Sequence, residues 1–212
     1  MNAATSLLFL PALPSFGRTA PHPQTLPTSL EALERKLGQA ALRGQPIVLG
    51  TAAAPFSPAA STRPLLAALS RTEGLLVSIT TRSPLILRHL ELLTELDRRH
   101  AVSVDVMVPA VDPAVAARLE PDGSEPRALL SAVRQLAEEG IDTRVVCAPV
   151  LPGVNDGEEV LRPLFAAARE AGAREVLAST LHLRRATRQR FVTLFRRLRL
   201  EYGFPQALPG RG

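Results

Sequence analysis

The sequence predicts an α/β chain whose parallel strands form an incomplete (β/α)6 TIM-like barrel, and three observations carry that prediction. First, short apolar runs at 47–49, 75–79, 102–108, 143–148 and 176–180 alternate with helical patterns. Such alternation implies parallel strands joined by right-handed crossovers. Second, the strand count is five, or six if 6–10 is a further strand, which is too few for a closed eight-stranded barrel. Third, the run 102–108 has two unlike faces: Val102, Val104, Val106 and Val108 on one, Ser103, Asp105 and Met107 on the other. A doubly wound sheet would bury both faces, whereas a barrel can turn a polar face to a solvated lumen.

Taken in order, residues 1–28 read as an irregular Pro-rich segment, with Pro11, Pro14, Pro21, Pro23 and Pro27 close together. A barrel then occupies 29–203, and 204–212 form a C-terminal tail. Thr28 and Glu31 make a capping box that opens a helix to about residue 43. Further helices are predicted over 62–70, 84–99, 125–139, 157–171 and 186–202. Within 84–99, Leu85, His89, Leu92, Leu93 and Leu96 keep the spacing of a buried stripe. Strand parity places Ser78, Thr80, Asp105, Arg144 and His182 on one polar inner wall.

Composition narrows the class. Hydrophobic residues are 46% of the chain, aromatic residues 4%, and Trp is absent, so the core is aliphatic. The net charge is +5 and Lys36 is the sole lysine, so the basic character is almost entirely arginine. One cysteine, Cys147, excludes an intrachain disulfide and an all-cysteine metal site within this chain. It also fits a reducing, cytoplasmic compartment. No apolar run is long enough to span a bilayer, so no membrane partner is expected. His-Glu-x-x-His spacing, a Gly-x-Ser-x-Gly elbow and a Gly-rich phosphate loop are all missing.

Several blocks carry a resemblance. They are Ile47-Val48-Leu49-Gly50-Thr51, Ser78-Ile79-Thr80-Thr81-Arg82-Ser83, and Asp112 followed by Leu119-Glu120-Pro121. The longest is Ala148-Pro149-Val150-Leu151-Pro152-Gly153-Val154-Asn155-Asp156. In this order and spacing they resemble the radical SAM superfamily, specifically its spore photoproduct lyase-like group, over about residues 45–195. The resemblance implies a six-stranded partial barrel. It also implies a loop of three cysteines holding a [4Fe–4S] cluster that binds S-adenosylmethionine.

This chain departs from that pattern where the cofactor chemistry lies. The region matching the cluster loop, 11–28, has no cysteine. Ala52, Ala53, Pro55, Phe56, Ser57 and Pro58 stand where the family has Thr-Asp-Pro-Tyr-Gln-Pro after its second strand. Met107 replaces a serine expected near the cofactor ribose, and Leu129 replaces an arginine, with Arg127 two residues away. Arg82 stands for a lysine and His182 for an arginine. The expectation is therefore a non-catalytic homologue that binds a small molecule or partner, with S-adenosylmethionine possible and a [4Fe–4S] cluster not expected. The alternative is an N-terminally truncated or mis-started radical enzyme of this group, with DNA as a candidate substrate. The resemblance and the inner wall together nominate Thr51, Thr80, Arg82, Asp105, Arg144, Asn155, Asp156 and His182 as binding residues.

Each nomination has a plainer reading beside it. Asn155 and Asp156 suit a tight turn and a cap for the helix near Gly157. Asp105 and Arg144, on neighbouring strands, suit an ion pair. Glu120 suits a helix end beside Pro121, and a lone His182 suits a hydrogen-bonded structural role. Arg184, Arg185, Arg188, Arg190, Arg196, Arg197 and Arg199 lie on the outer face of a helix whose apolar stripe is Phe191, Leu194, Phe195 and Leu198. They read either as a solvated face or as a nucleic-acid footprint.

Overall fold

The structure, a computed structural model, describes residues 6–9, 24–25, 35, 38, 47–49, 69–178 and 185–205. Seven strands form one sheet: β1 (Ser6–Phe9), β2 (Gln24–Thr25), β3 (Ile47–Leu49), β4 (Leu76–Thr81), β5 (Ala101–Met107), β6 (Asp142–Cys147) and β7 (Glu175–Ala178). Their order is β2-β1-β3-β4-β5-β6-β7. From β3 to β7 every neighbouring pair is parallel. The α-helices with described bounds are α1 (Leu90–Arg99), α2 (Pro113–Leu119), α3 (Pro126–Glu138), α4 (Glu158–Glu170) and α5 (Arg185–Glu201).

The strand order decides which α/β class this is. Five parallel strands follow one another in space as in sequence, with no reversal of order. Right-handed crossovers then put the described connecting helices α1, α3 and α4 on the same side, where they share one core. A doubly wound sheet needs a reversal, so that alternative is excluded for the described strands. Burial agrees. Val77, Ile79 and Thr81 on β4, Val102, Val104 and Val106 on β5, and Thr143, Val145 and Cys147 on β6 are each at most 3% exposed. The apolar members of this set share one core with Leu93 and Leu96 of α1, Leu129, Val133 and Leu136 of α3, and Leu161, Leu164 and Phe165 of α4. Each such side chain contributes roughly 1.5–3 kcal/mol through burial. Phe191, Phe195 and Leu198 of α5 close the core, with Phe195 edge-on to Phe165 at 5.0 Å between ring centres.

Local chemistry sets the element ends. The Asp112 carboxylate accepts from Ala114 N at 2.7 Å and Pro113 takes the first turn of α2. Ser83 and Pro84 do the same for a 3-10 turn over Pro84–His89. The stripe predicted as one helix over 84–99 is thus a 3-10 turn feeding α1. Two returns to the sheet use glycines at positive φ, Gly140 (82°) and Gly172 (78°). At each, the following residue, Ile141 or Ala173, donates back into the helix and is buried.

Four expectations need correction. Ser6–Phe9 is a strand, but it runs antiparallel to β3, with Leu7 opposite Leu49 and Phe9 opposite Ile47. Among the described residues the parallel set is therefore five strands, and the N-terminal segment read as irregular contains two strands of the sheet. The short helix α2 was not expected, although Asp112-Pro113 is a helix-start signal. The tail expected from residue 204 is not detached, because Phe204 is 3% exposed and packs on Phe165. Not every arginine of α5 faces outward: Arg199 is 3% exposed and pairs with Glu175 while donating to the Pro205 carbonyl. The capping box at Thr28 and the helices over 28–43 and 62–70 lie largely outside the described residues. No helix among those residues is long and apolar enough to cross a membrane.

Candidate functional site

The face of the sheet opposite the helices carries the chemistry. Strand alternation and register stack it in rows. Ser78 lies beside Ser103, Thr80 beside Asp105, Asp105 beside Arg144, and Met107 beside Val146 and then Leu177 across β6 and β7. Ser78, Thr80, Ser103, Met107, Arg144, Val146 and Leu177 are all half-buried, unlike their fully buried neighbours on the helix side. That contrast marks a wall partly open to solvent.

Arg144 organises this wall. Its Nε donates to Asp105 Oδ1 at 2.6 Å, and its Nη2 reaches Ser103 Oγ at 3.3 Å and Ser78 Oγ at 3.4 Å. The two charged side chains keep only 15% and 12% of their surface. Burial pushes the Asp105 carboxyl above its ordinary range, against the pull of the Arg144 guanidinium. The expected ion pair is therefore present, locked by hydroxyls from two further positions. Ser103 was legible from strand parity as a member of this face; its bond to Arg144 was not.

At the carboxyl ends of the strands a second group ties the loops together. Arg82 follows β4, donates from Nε to Met107 Sδ at 3.2 Å, and pairs through Nη1 with Glu120 at 2.9 Å. Ser124 Oγ donates to the Arg82 carbonyl at 3.0 Å. Arg82 and Glu120 thus pin the loop between α2 and α3 to the end of β4. Glu120 keeps the structural role expected of it, through a partner that sequence spacing did not reveal.

Asn155 is the other knot. It is fully buried: its Oδ1 accepts from Leu151 N at 2.8 Å, and its Nδ2 donates to the carbonyls of Pro109 and Pro149, each at 2.9 Å. One amide therefore joins the loop after β5 to the loop after β6 and has no donor left for a ligand. Asp156 accepts from Gly153 N at 2.7 Å, closing the Pro152-Gly153 turn. Neither caps α4, whose N-cap Gly157 has no side-chain cap bond. The turn reading of this pair stands and the capping reading does not. Thr51 and His182 lie outside the described residues.

Cys147 is buried on the helix side, with Sγ 3.7 Å from the Pro109 carbonyl. Burial pushes its thiol up to about 12. Among the described residues no group of three or more His, Cys, Asp or Glu side chains is placed to hold a metal ion. The α5 arginines are partly engaged. Arg197 pairs with Glu158 of α4, Glu158 also holds Arg162, and Arg162 reaches Glu201. Arg190 and Arg196 are exposed.

No protein-family model matches the chain. The chain is 31% identical over 163 residues to the uncharacterized protein Rv2578c of Mycobacterium tuberculosis, a match covering 76% of this chain and 48% of that protein. The uncharacterized protein Mb2609c of Mycobacterium bovis matches with the same identity and coverage. The chain spans about half the length of the curated relatives it matches.

Proposed function

We propose that the chain is a radical-SAM-like partial barrel that holds a small polar molecule on its inner wall and performs no radical chemistry of its own. One observation carries this reading. A parallel sheet whose strands run in sequence order has α1, α3, α4 and α5 packed into one core on one face and leaves the other half-open, polar and organised around Arg144 and Asp105. In parallel α/β sheets, ligands gather at the carboxyl ends of the strands, and this wall runs up to them. The four sequence blocks that resemble the spore photoproduct lyase-like group supply the fold analogy; the analogy alone does not supply activity.

The residues do not fit an iron–sulfur cluster. Such a cluster needs several thiolates, whereas this chain has one cysteine, which burial keeps protonated and which lies on the helix side of the sheet. S-adenosylmethionine fits only in part. Of the residues the resemblance nominates, Arg82 is paired with Glu120, Asn155 is consumed by backbone, and Asp105 and Arg144 answer each other. A cytoplasmic protein without catalytic turnover is the function these features support.

Anaerobic reconstitution with iron and sulfide is the test. The expected result is trace iron; about four irons per chain would overturn the reading in favour of a radical enzyme. An in-frame Cys-x3-Cys-x2-Cys upstream of Met1 would likewise favour the truncated or mis-started enzyme. Nucleic-acid binding through α5 is the weaker reading, because Arg197 and Arg199 are spent on Glu158 and Glu175.

A further inference from the structure

We propose that the Asp105–Arg144 cluster recognises an uncharged molecule with an amide-type edge carried on an apolar body. The inference rests on the inner wall being the binding face and names the chemistry that face selects. Arg144 uses Nε and Nη2 on Asp105, Ser78 and Ser103, while its Nη1 makes no hydrogen bond to a described residue. Asp105 likewise uses Oδ1 alone, which leaves Oδ2 as an acceptor. Thr80, beside Asp105 in register, adds a hydroxyl with no side-chain bond to a described residue. The cluster thus offers a donor next to an acceptor, and an amide edge presents the complement: a carbonyl for Arg144 and an N–H for Asp105.

Charge decides against the ionic alternatives. The two side chains neutralise each other at 2.6 Å, and both are mostly removed from water. A carboxylate ligand would compete with Asp105 for the guanidinium, and a cation would compete with Arg144 for the carboxylate. Either leaves an uncompensated charge in a half-buried place, which is costly. An uncharged edge adds hydrogen bonds without that cost. One row nearer the carboxyl ends, Met107, Val146 and Leu177 form a half-buried apolar shelf across three strands. An apolar body on that shelf brings its polar edge down to the cluster.

The test uses three probes of nearly one shape and three charges: benzamide, benzoate and benzamidine, titrated at neutral pH into the full chain and followed by calorimetry and amide chemical shifts. The expected result is that benzamide binds at least about tenfold more tightly than either ion, a difference of about 1.4 kcal/mol. Shifts should map to β4, β5 and β6, and Asp105→Asn should lose most of the binding. Because that variant removes a charge partner and so threatens folding, Thr80→Val serves as a second variant, expected to weaken benzamide severalfold. A preference for benzoate or benzamidine overturns the ligand class and leaves the binding module standing. Benzamide shifts confined to other surfaces, or binding that neither variant alters, overturn this site. No binding by any of the three removes the inner wall as a ligand site, and the proposed function with it.

Discussion

Arg144 reaches across from β6 to Asp105 on β5, Nε to Oδ1 at 2.6 Å, at paired positions in the register of the two strands. The pair sits where the sheet turns away from its helices, and two serine hydroxyls complete the guanidinium's contacts. Removing one partner strands the other. Arg144→Met should lower stability by about 2–4 kcal/mol, read by urea denaturation, while Arg144→Met combined with Asp105→Leu should recover most of the loss. A double variant no better than the single one would contradict a mutually compensating pair.

Acid titration tests the same carboxyl. Its native value lies above the ordinary 3.8, chiefly through burial and against the pull of Arg144. A raised native value means the folded state holds the proton more tightly than the unfolded state. This contribution to stability is fully present below the ordinary value and is lost as pH rises through the native one. Asp105→Asn should therefore flatten the fall in urea midpoint over that acid window. An unchanged slope would place the titration elsewhere.

Asn155, itself fully buried, holds three backbone partners from two loops. Asn155→Ala should cost about 2–4 kcal/mol in thermal or urea unfolding, since Leu151 N–H and the Pro109 and Pro149 carbonyls lose their partner together. Asn155→Asp should be at least as damaging, because a carboxylate faces two carbonyl oxygens. Hydrogen exchange of the Ala110, Val111, Val150, Leu151 and 153–155 amides should rise in both variants.

His100 bridges two chain segments at the amino end of the sheet. Its Nδ1 accepts from Leu75 N at 3.2 Å and its Nε2 meets the Leu69 carbonyl at 3.0 Å, with the ring 6% exposed. His100→Phe keeps the bulk and removes both bonds, so a loss of about 1–3 kcal/mol is expected in urea unfolding. A neutral substitution would show that packing alone holds this junction.

Cys147 and Glu158 give two inexpensive checks. A thiol pushed up to about 12 by burial should resist iodoacetamide at pH 8 in the native protein and react fully once unfolded, as mass spectrometry reads directly. Hydrogen bonds from Arg162 and then Arg197 hold the Glu158 carboxyl below its ordinary value. Its contribution is present above that ordinary value and lost as pH falls through the native one. Glu158→Gln should remove part of the acid-side loss of stability, and high salt should shrink the difference.

Much of the architecture was readable because it depends on periodicity. The alternating valines of 102–108 mark a strand with one apolar face wherever that strand lies, since alternate side chains must point to opposite sides. The same parity placed Ser78, Thr80, Asp105 and Arg144 together and paired the two charges. The antiparallel direction of Ser6–Phe9 was not readable, because a four-residue apolar run carries no sign of orientation. Nor was the burial of Arg199, whose position on α5 looks like its exposed neighbours until Glu175 and the Pro205 carbonyl are brought beside it.

What the sequence determined by itself was the alternation of strands and helices, the parity of each strand and a single cysteine in this chain. Those follow from residue type and spacing alone. Tertiary structure decided which polar groups are already taken by other residues. Arg82 is claimed by Glu120, Asn155 by the Pro109 and Pro149 carbonyls, and Arg197 by Glu158, each from a segment distant in the chain. Hydrogen bonds and ion pairs act over a few ångströms of space, and only the fold sets which residues lie that close.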